Sequence, residues 1–177
     1  MLGRKQPPRK VRIAQKCLHE RMTTYDLPEG FDLEGFLARP LIARIATNGP
    51  TIRPVWYIWE DDAFWWLTGS WSQLPTLIGR DPALALLIDT WEPTTGEVLQ
   101  LIARGQAAMC PFDSNRARRK LARYLGNDES KWDEQRFQMG TFDNKSTALV
   151  RLHPDRLVVK DLSYKRPPDL SPIPSPP

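Results

Sequence analysis

Hydroxyl groups and backbone amides are concentrated in one short loop, residues 67–73, with the sequence LTGSWSQ. An apolar, β-prone run ends where the loop begins, and Leu74, Leu77 and Ile78 follow at helical i, i+3, i+4 spacing. Loop amides and a helix N-terminus both present N–H donors, which suits the binding of an anion. The pattern alone is a weak signal, because Thr, Ser and Gly also form ordinary loops.

Residue patterns for other kinds of chemistry are missing from the sequence. His19 and His153 are the only histidines, and neither belongs to a catalytic triad or to a cluster with metal-ligand spacing. No glycine-rich phosphate loop of Walker or Rossmann form occurs. Cys17 and Cys110 are too few for a disulfide framework, which favours a reducing cytoplasm. We therefore expect no metal site and no nucleophilic catalysis by side chains.

The chain has 177 residues, enough for one compact domain with tails. We expect a basic leader over residues 1–24, a folded domain over 25–164 and a proline-rich tail over 165–177. No apolar run approaches membrane-spanning length, and no secretory pattern is present, so we expect no membrane association.

Lys and Arg outnumber Asp and Glu by 25 to 21, for a net charge of +4. The leader carries much of this charge, and such a segment can contact nucleic acid, although a solvated leader is more common. Further basic residues fall in a predicted helix after Asp113, with an inner stripe of Ala117, Leu121, Tyr124 and Leu125. We expect the basic residues to form the solvated outer face of that helix: Arg116, Arg119, Lys120 and Arg123.

Apolar runs separated by turn signals predict an antiparallel sheet around the loop. Asp32 is a good N-cap for a short helix before the sheet, and Gly105 indicates a bulge. Pro54 inside the second strand indicates an edge strand, a bulge or a place where the ladder opens. The predicted strands are 41–47, 51–59, 63–68, 83–88 and 97–108, with 147–152 and 157–159 returning to close the sheet.

The predicted hairpin of residues 51–68 is aromatic on both faces, with Trp56, Tyr57, Trp59, Phe64, Trp65 and Trp66. One face can fill the core. The other requires cover from a ligand or a second subunit, unless the strands are buried on both sides within the chain.

The order of these elements resembles the pyridoxamine 5'-phosphate oxidase-like superfamily of flavin- and deazaflavin-binding proteins, across residues 31–163. The pieces that carry the resemblance are FLARPLIARIAT, RPVWYIWEDDAFWWLTG, LIGRDPALALLID, IARGQAAMCPFD and ALVRLHPDRLVVKDLS. It implies a mainly β fold with a few helices, an antiparallel, Greek-key-like split β-barrel. It also implies a homodimer that holds FMN or coenzyme F420 in a groove between subunits and acts on a small organic substrate.

By position, the resemblance places the cofactor ring along Arg53, Pro54, Val55 and Trp56. Its phosphate-bearing chain falls near the end of the next strand and the loop, at Leu67, Thr68, Ser70, Ser72 and Gln73, with Arg44 as an additional contact.

The sequence departs from the family pattern at the loop. The family usually has a basic residue after the loop serine, whereas Gln73 and Leu74 follow Ser72 here. Since charge-assisted hydrogen bonds are about twice as strong as neutral ones, a phosphate would lose its strongest partners. Arg53, Arg80 or a residue of the partner subunit could replace them.

Three functions are compatible with these patterns. The first is an FMN- or F420-dependent oxidoreductase, because the cofactor performs hydride transfer and the protein needs little acid–base machinery of its own. The second is a non-catalytic flavin- or haem-type ligand-binding module on the same barrel, which the departure at Gln73 favours. The third is a nucleic-acid-binding barrel that uses the leader and exposed aromatic side chains.

Overall fold

The structure is a computed structural model that describes residues 22–49, 51–137 and 146–165. The basic residues of the predicted leader, Cys17 and His19 lie outside these ranges, as does the proline-rich tail from residue 166. No helix within the described ranges is long and apolar enough to cross a membrane.

Eight strands and four short helices make up the described chain. The strands are β1 (Thr24–Asp26), β2 (Ile42–Thr47), β3 (Thr51–Trp56), β4 (Ile58–Glu60), β5 (Ala63–Gly69), β6 (Ala83–Glu92), β7 (Glu97–Pro111) and β8 (Thr147–Asp161). The helices are α1 (Leu33–Ala38), α2 (Leu74–Arg80), α3 (Ser114–Leu125) and α4 (Glu134–Phe137), with a 3-10 turn at Glu129–Lys131.

The strands form one sheet in the order β3-β2-β6-β7-β8-β5-β4, with neighbours antiparallel, and β1 adds to β8 in parallel. β3 and β4 lie at opposite ends of this order, yet a single residue, Tyr57, separates them in the chain. The sheet must therefore curl until its two ends meet at Tyr57. This arrangement is the predicted antiparallel split β-barrel.

Local sequence explains most of the strand boundaries. Asp61 and Asp62 adopt φ of 54° and 53°, the left-handed pair that joins β4 to β5 in a tight hairpin. Gly105 marks the predicted bulge, because the register between β7 and β8 shifts there, opposite Pro154. Asp32 caps α1 as predicted, by accepting a hydrogen bond from the Gly35 amide at 2.8 Å.

Two predicted strand boundaries were wrong. The run 51–59 is two strands rather than one, because the chain leaves one end of the sheet at Trp56 and joins the other end at Ile58. The two returning strands are a single strand, β8, which runs through Pro154 because the bulge opens the ladder there.

The aromatic strand β5 is buried on both faces. Phe64 and Trp66 belong to the main core inside the barrel, whereas Trp65 packs with Cys110 and Leu149 in a second cluster on the outer face. Helix α3 covers that outer face, with the Arg116 guanidinium 3.8 Å from the ring centroid of Trp65. The outer face of the aromatic strand is therefore covered by the chain's own helix α3.

The expectation that the basic residues of α3 form a solvated face was wrong for Arg116, Lys120 and Arg123, which are buried or half-buried, whereas Arg119 is exposed as predicted. Arg116 and Arg119 both pair with the Glu60 carboxylate, at 2.8 and 2.6 Å. Hydrogen bonds from Arg119 and then from Arg116 lower the pKa of Glu60. Arg123 donates to the carbonyl groups at the end of α1, and Lys120 is 5% exposed. These side chains dock the helix on the barrel.

The junction between β3 and β4 depends on Tyr124 of α3. Its hydroxyl accepts a hydrogen bond from the Tyr57 amide at 3.1 Å and donates to the Leu41 carbonyl at 2.8 Å. Its ring stacks on Trp56, with centroids 4.8 Å apart. Tyr57 itself is buried in the barrel, and desolvation raises its pKa to about 12. A side chain thus supplies the hydrogen bonds that the ladder cannot supply at this residue.

Replacing Tyr124 with Phe should lower the free energy of unfolding by about 1–3 kcal/mol, because it leaves buried backbone groups without a partner. The matched control is Tyr164→Phe, since the exposed Tyr164 hydroxyl accepts from the exposed Trp91 indole at 3.3 Å. Urea denaturation of both variants measures the difference. Equal losses in the two variants would show that Tyr124 does not stabilise the junction.

Candidate functional site

The candidate site is the groove between β3 and β5, where the barrel is split. Among the described strands, β3 pairs only with β2, so its other edge faces β5 across open space. Pro54 contributes to this opening, because it has no N–H group to donate to a ladder. Two adjacent cavities occupy the groove, and Pro54, Val55 and Leu67 line both of them.

The first cavity has a volume of about 440 Å³, within the range of small-molecule sites. Seven of the ten predicted site residues line it: Arg53, Pro54, Val55, Leu67, Thr68, Ser72 and Gln73. Trp56 lines the second cavity. Segments that are separate in the sequence are therefore brought together in one groove.

Arg44 and Ser70 are the two predicted residues that line neither cavity. Arg44 lies on β2 and pairs with Asp89 of β6. Ser70 is exposed, and its amide donates to the Ser146 carbonyl at 3.1 Å.

The loop between β5 and α2 is fixed by close packing at Gly69. A Cβ atom there would lie 2.2 Å from the Trp71 ring and 2.5 Å from the Ser146 carbonyl oxygen, so only glycine fits. The Ser72 hydroxyl accepts from the Leu74 amide at 3.1 Å and holds the start of α2. Gln73 makes no side-chain capping bond, so its amide group is available to the cavity.

Two buried polar atoms in the wall of the first cavity have no hydrogen-bond partner among the described residues. They are Thr68 Oγ1 and Trp66 Nε1, on residues 2% and 0% exposed. Buried polar atoms are nearly always hydrogen-bonded in folded proteins. A hydroxyl group and an indole N–H beside apolar Pro54 and Val55 fit a ligand with an apolar body and hydrogen-bonding edges.

Positive charge in the first cavity comes from Arg53. It is the only cationic lining residue in the described part of the chain, and its Nη1 lies 3.4 Å from Thr51 Oγ1. Arg80, the other predicted substitute for the missing loop cation, is exposed at the end of α2 and lines neither cavity. An anionic group bound here would meet one guanidinium, the loop and the Gln73 side chain.

The second cavity has a volume of about 350 Å³ and a cationic wall. Lys120 of α3 lines it together with Ile42 and Trp56, and the Lys120 Nζ lies 6.0 Å from the ring centroid of Trp56. Desolvation lowers the pKa of Lys120 to about 8. The described residues contain no cluster of His, Cys, Asp and Glu that could hold a metal ion in either cavity.

The fold can be compared with solved structures. A conserved hypothetical protein of Mycobacterium tuberculosis superposes with a TM-score of 0.58 and 20% identity, over 72% of this chain and 81% of that one. The flavocytochrome of Azotobacter vinelandii gives 0.54 and 14%, over 81% and 80%. An F420 reductase gives 0.51 and 17%, over 73% and 97%. No protein-family model matches the sequence, and no curated protein does.

The chain has the split β-barrel fold of the pyridoxamine 5'-phosphate oxidase-like proteins. At identities of 20% or less, the solved structures establish the fold.

Sequence reasoning did not identify Trp66, Trp71 or Lys120 as wall residues of the split barrel. Trp66 could have been found, because it alternates with Thr68 and shares its face of β5. Lys120 could also have been found, since it follows Ala117 by three positions and precedes Tyr124 by four, on the inner side of α3. Its charge led to its assignment to the outer face.

Replacing Lys120 with Met should stabilise the split barrel, because a buried ammonium is removed without a large change in volume. Folding lowers the pKa of Lys120 from its ordinary 10.5 to about 8. The free-energy cost of burying the charged ammonium is therefore fully present below pH 8 and disappears above about pH 10.5. We expect a gain on the order of 3 kcal/mol at pH 7 that shrinks as the pH rises through this window. Denaturation at pH 7 and pH 10.5 measures it.

The matched control is Lys131→Met, whose side chain is 78% exposed and should change stability little at either pH. A destabilised Lys120→Met, or a gain that does not depend on pH, would contradict the burial of the charge.

Proposed function

We propose that this protein binds a flavin-type cofactor, FMN or coenzyme F420, in the groove between β3 and β5. There it transfers hydride between the cofactor and a small organic substrate. The observation that carries the proposal is the convergence of Arg53, Pro54 and Val55 with Thr68 and the loop on one cavity. The sequence resemblance assigns these same segments to a cofactor.

The residues of the groove fit such a cofactor. In the first cavity, Pro54 and Val55 would hold the ring against an apolar wall, while Thr68 Oγ1 and Trp66 Nε1 would donate hydrogen bonds to its polar atoms. The bound cofactor would supply the hydride chemistry. The chain's own residues would orient the ring and keep water away from it.

We also propose that the protein is a homodimer whose partner covers the groove. Large apolar side chains remain exposed around it: Ile52 on β3 at 72%, Trp71 in the loop at 60% and Ile42 on β2 at 37%. Clustered exposed apolar groups are typical of surfaces that bind another protein. The proposed setting is the cytoplasm, where the buried Cys110 would stay reduced.

Titration of purified protein with FMN and with F420, followed by fluorescence, tests the cofactor. Arg53→Ala should weaken binding at least tenfold, because it removes the cation that lines the first cavity. Arg80→Ala is the matched control and should bind as the wild type does, since Arg80 lies outside the groove. Unchanged affinity of Arg53→Ala would refute the assignment of the site.

A non-catalytic ligand-binding module is the second candidate function. The single cationic side chain in the first cavity favours it, because phosphate groups bind best where several charge-assisted hydrogen bonds converge. If a folded dimer binds neither FMN nor F420, this alternative replaces the oxidoreductase. Haem would then be titrated against the same variants, with the Soret absorbance as the signal.

Replacing Ile52 with Glu should shift the dimer toward monomer, because a charge would be buried at the proposed interface. Leu162→Glu is the matched control, since Leu162 is 51% exposed and lines neither cavity. Sedimentation equilibrium at several concentrations measures the association. A dimer that persists in Ile52→Glu would place the interface elsewhere.

A further inference from the structure

Lys120 is a buried cation for which the proposed cofactor site has no use. It projects from the middle of α3 into the second cavity and is 5% exposed. Long basic side chains almost never reach this degree of burial unless they are paired. A buried ammonium is costly, so its retention calls for a partner of opposite charge.

The acidic residues near α3 are already engaged by its arginines. Glu60 pairs with Arg116 and Arg119, and Asp61 pairs with Arg116 at 2.7 Å. Within the described ranges, no carboxylate lies within ion-pair distance of Lys120. Its Nζ lies 6.0 Å from the ring centroid of Trp56, the outer limit of a cation–π interaction. The Lys120 ammonium thus lines the second cavity without a neighbouring carboxylate among the described residues.

Apart from Lys120, the side chains that line the second cavity are apolar, and polar atoms are exposed between them. Ile42, Pro54, Val55, Trp56 and Leu67 form its walls. Its volume of about 350 Å³ suits a molecule with one or two rings. An open cavity with apolar side chains and a single ammonium favours a ligand that has an apolar body and one negative charge.

We propose that the second cavity binds a small aromatic carboxylate, with the carboxylate on Lys120 Nζ and the ring against Trp56, Val55 and Leu67. Desolvation lowers the pKa of Lys120 to about 8, which leaves it mostly protonated at neutral pH and able to pair with the anion. The site needs no cofactor, so the inference stands apart from the proposed function. Because the two cavities share a wall, a carboxylate bound here would lie beside the first cavity.

Calorimetric titration of the cofactor-free protein with 2-naphthoate and with its neutral isostere 2-naphthamide tests the site. The wild type should bind the carboxylate at least tenfold more tightly than the amide. Lys120→Met should lose that preference while it still binds the amide, which shows that the cavity has kept its shape. Lys131→Met, which changes an exposed lysine, should keep the preference. Lys120→Gln serves as a second variant should Lys120→Met fail to fold.

Equal binding of the two probes to the wild type, no binding of either, or a preference that survives in Lys120→Met would each overturn the proposal. The outcome is separate from that of the cofactor titration. Wild-type protein that prefers the carboxylate but binds neither FMN nor F420 would refute the proposed function alone. Cofactor binding without a preference for the carboxylate would refute this inference alone.

Discussion

The structure depends on how the sheet closes at Tyr57. The chain leaves β3 at one end of the sheet and enters β4 at the other end, so the ladder cannot continue through this residue. The Tyr124 hydroxyl supplies the missing hydrogen bonds, and its ring packs on Trp56. Helix α3 must therefore be docked for the barrel to close. Its ion pairs with Glu60, at the end of the same hairpin, hold it in that position.

The same closure creates the groove. A strand that crosses from one end of the sheet to the other leaves an unpaired edge, and Pro54 removes one donor from that edge. The groove is lined by polar groups whose burial lowers stability. Examples are the Thr68 hydroxyl, which has no hydrogen-bond partner among the described residues, and the buried Lys120 ammonium. Proteins keep such groups where binding requires them, at the expense of stability. The groove thus combines groups that lower stability with groups that could hold a ligand.

Features set by local chemistry could be predicted from the sequence, and those set by distant contacts could not. The Asp61-Asp62 turn, the Asp32 cap and the Gly105 bulge follow from short-range rules and were found where expected. The break at Tyr57 arises because the two ends of the sheet meet there, and no local sequence pattern predicts that meeting. Lys120 was misplaced because its type indicates solvent, while its spacing on α3 indicates the interior. The spacing was the better guide, since helix geometry decides which side chains face the barrel.

Helix α3 has two roles, and the same face of the helix serves both. Tyr124 completes the junction of β3 with β4, and Lys120, one turn earlier, forms a wall of the second cavity. Trp56 touches both, through the stacked ring of Tyr124 and the ammonium of Lys120. A molecule held by Lys120 would therefore also hold α3 against the junction, and its binding free energy would add to that of barrel closure. If the proposed carboxylate binds in the second cavity, its binding would therefore also stabilise the folded barrel.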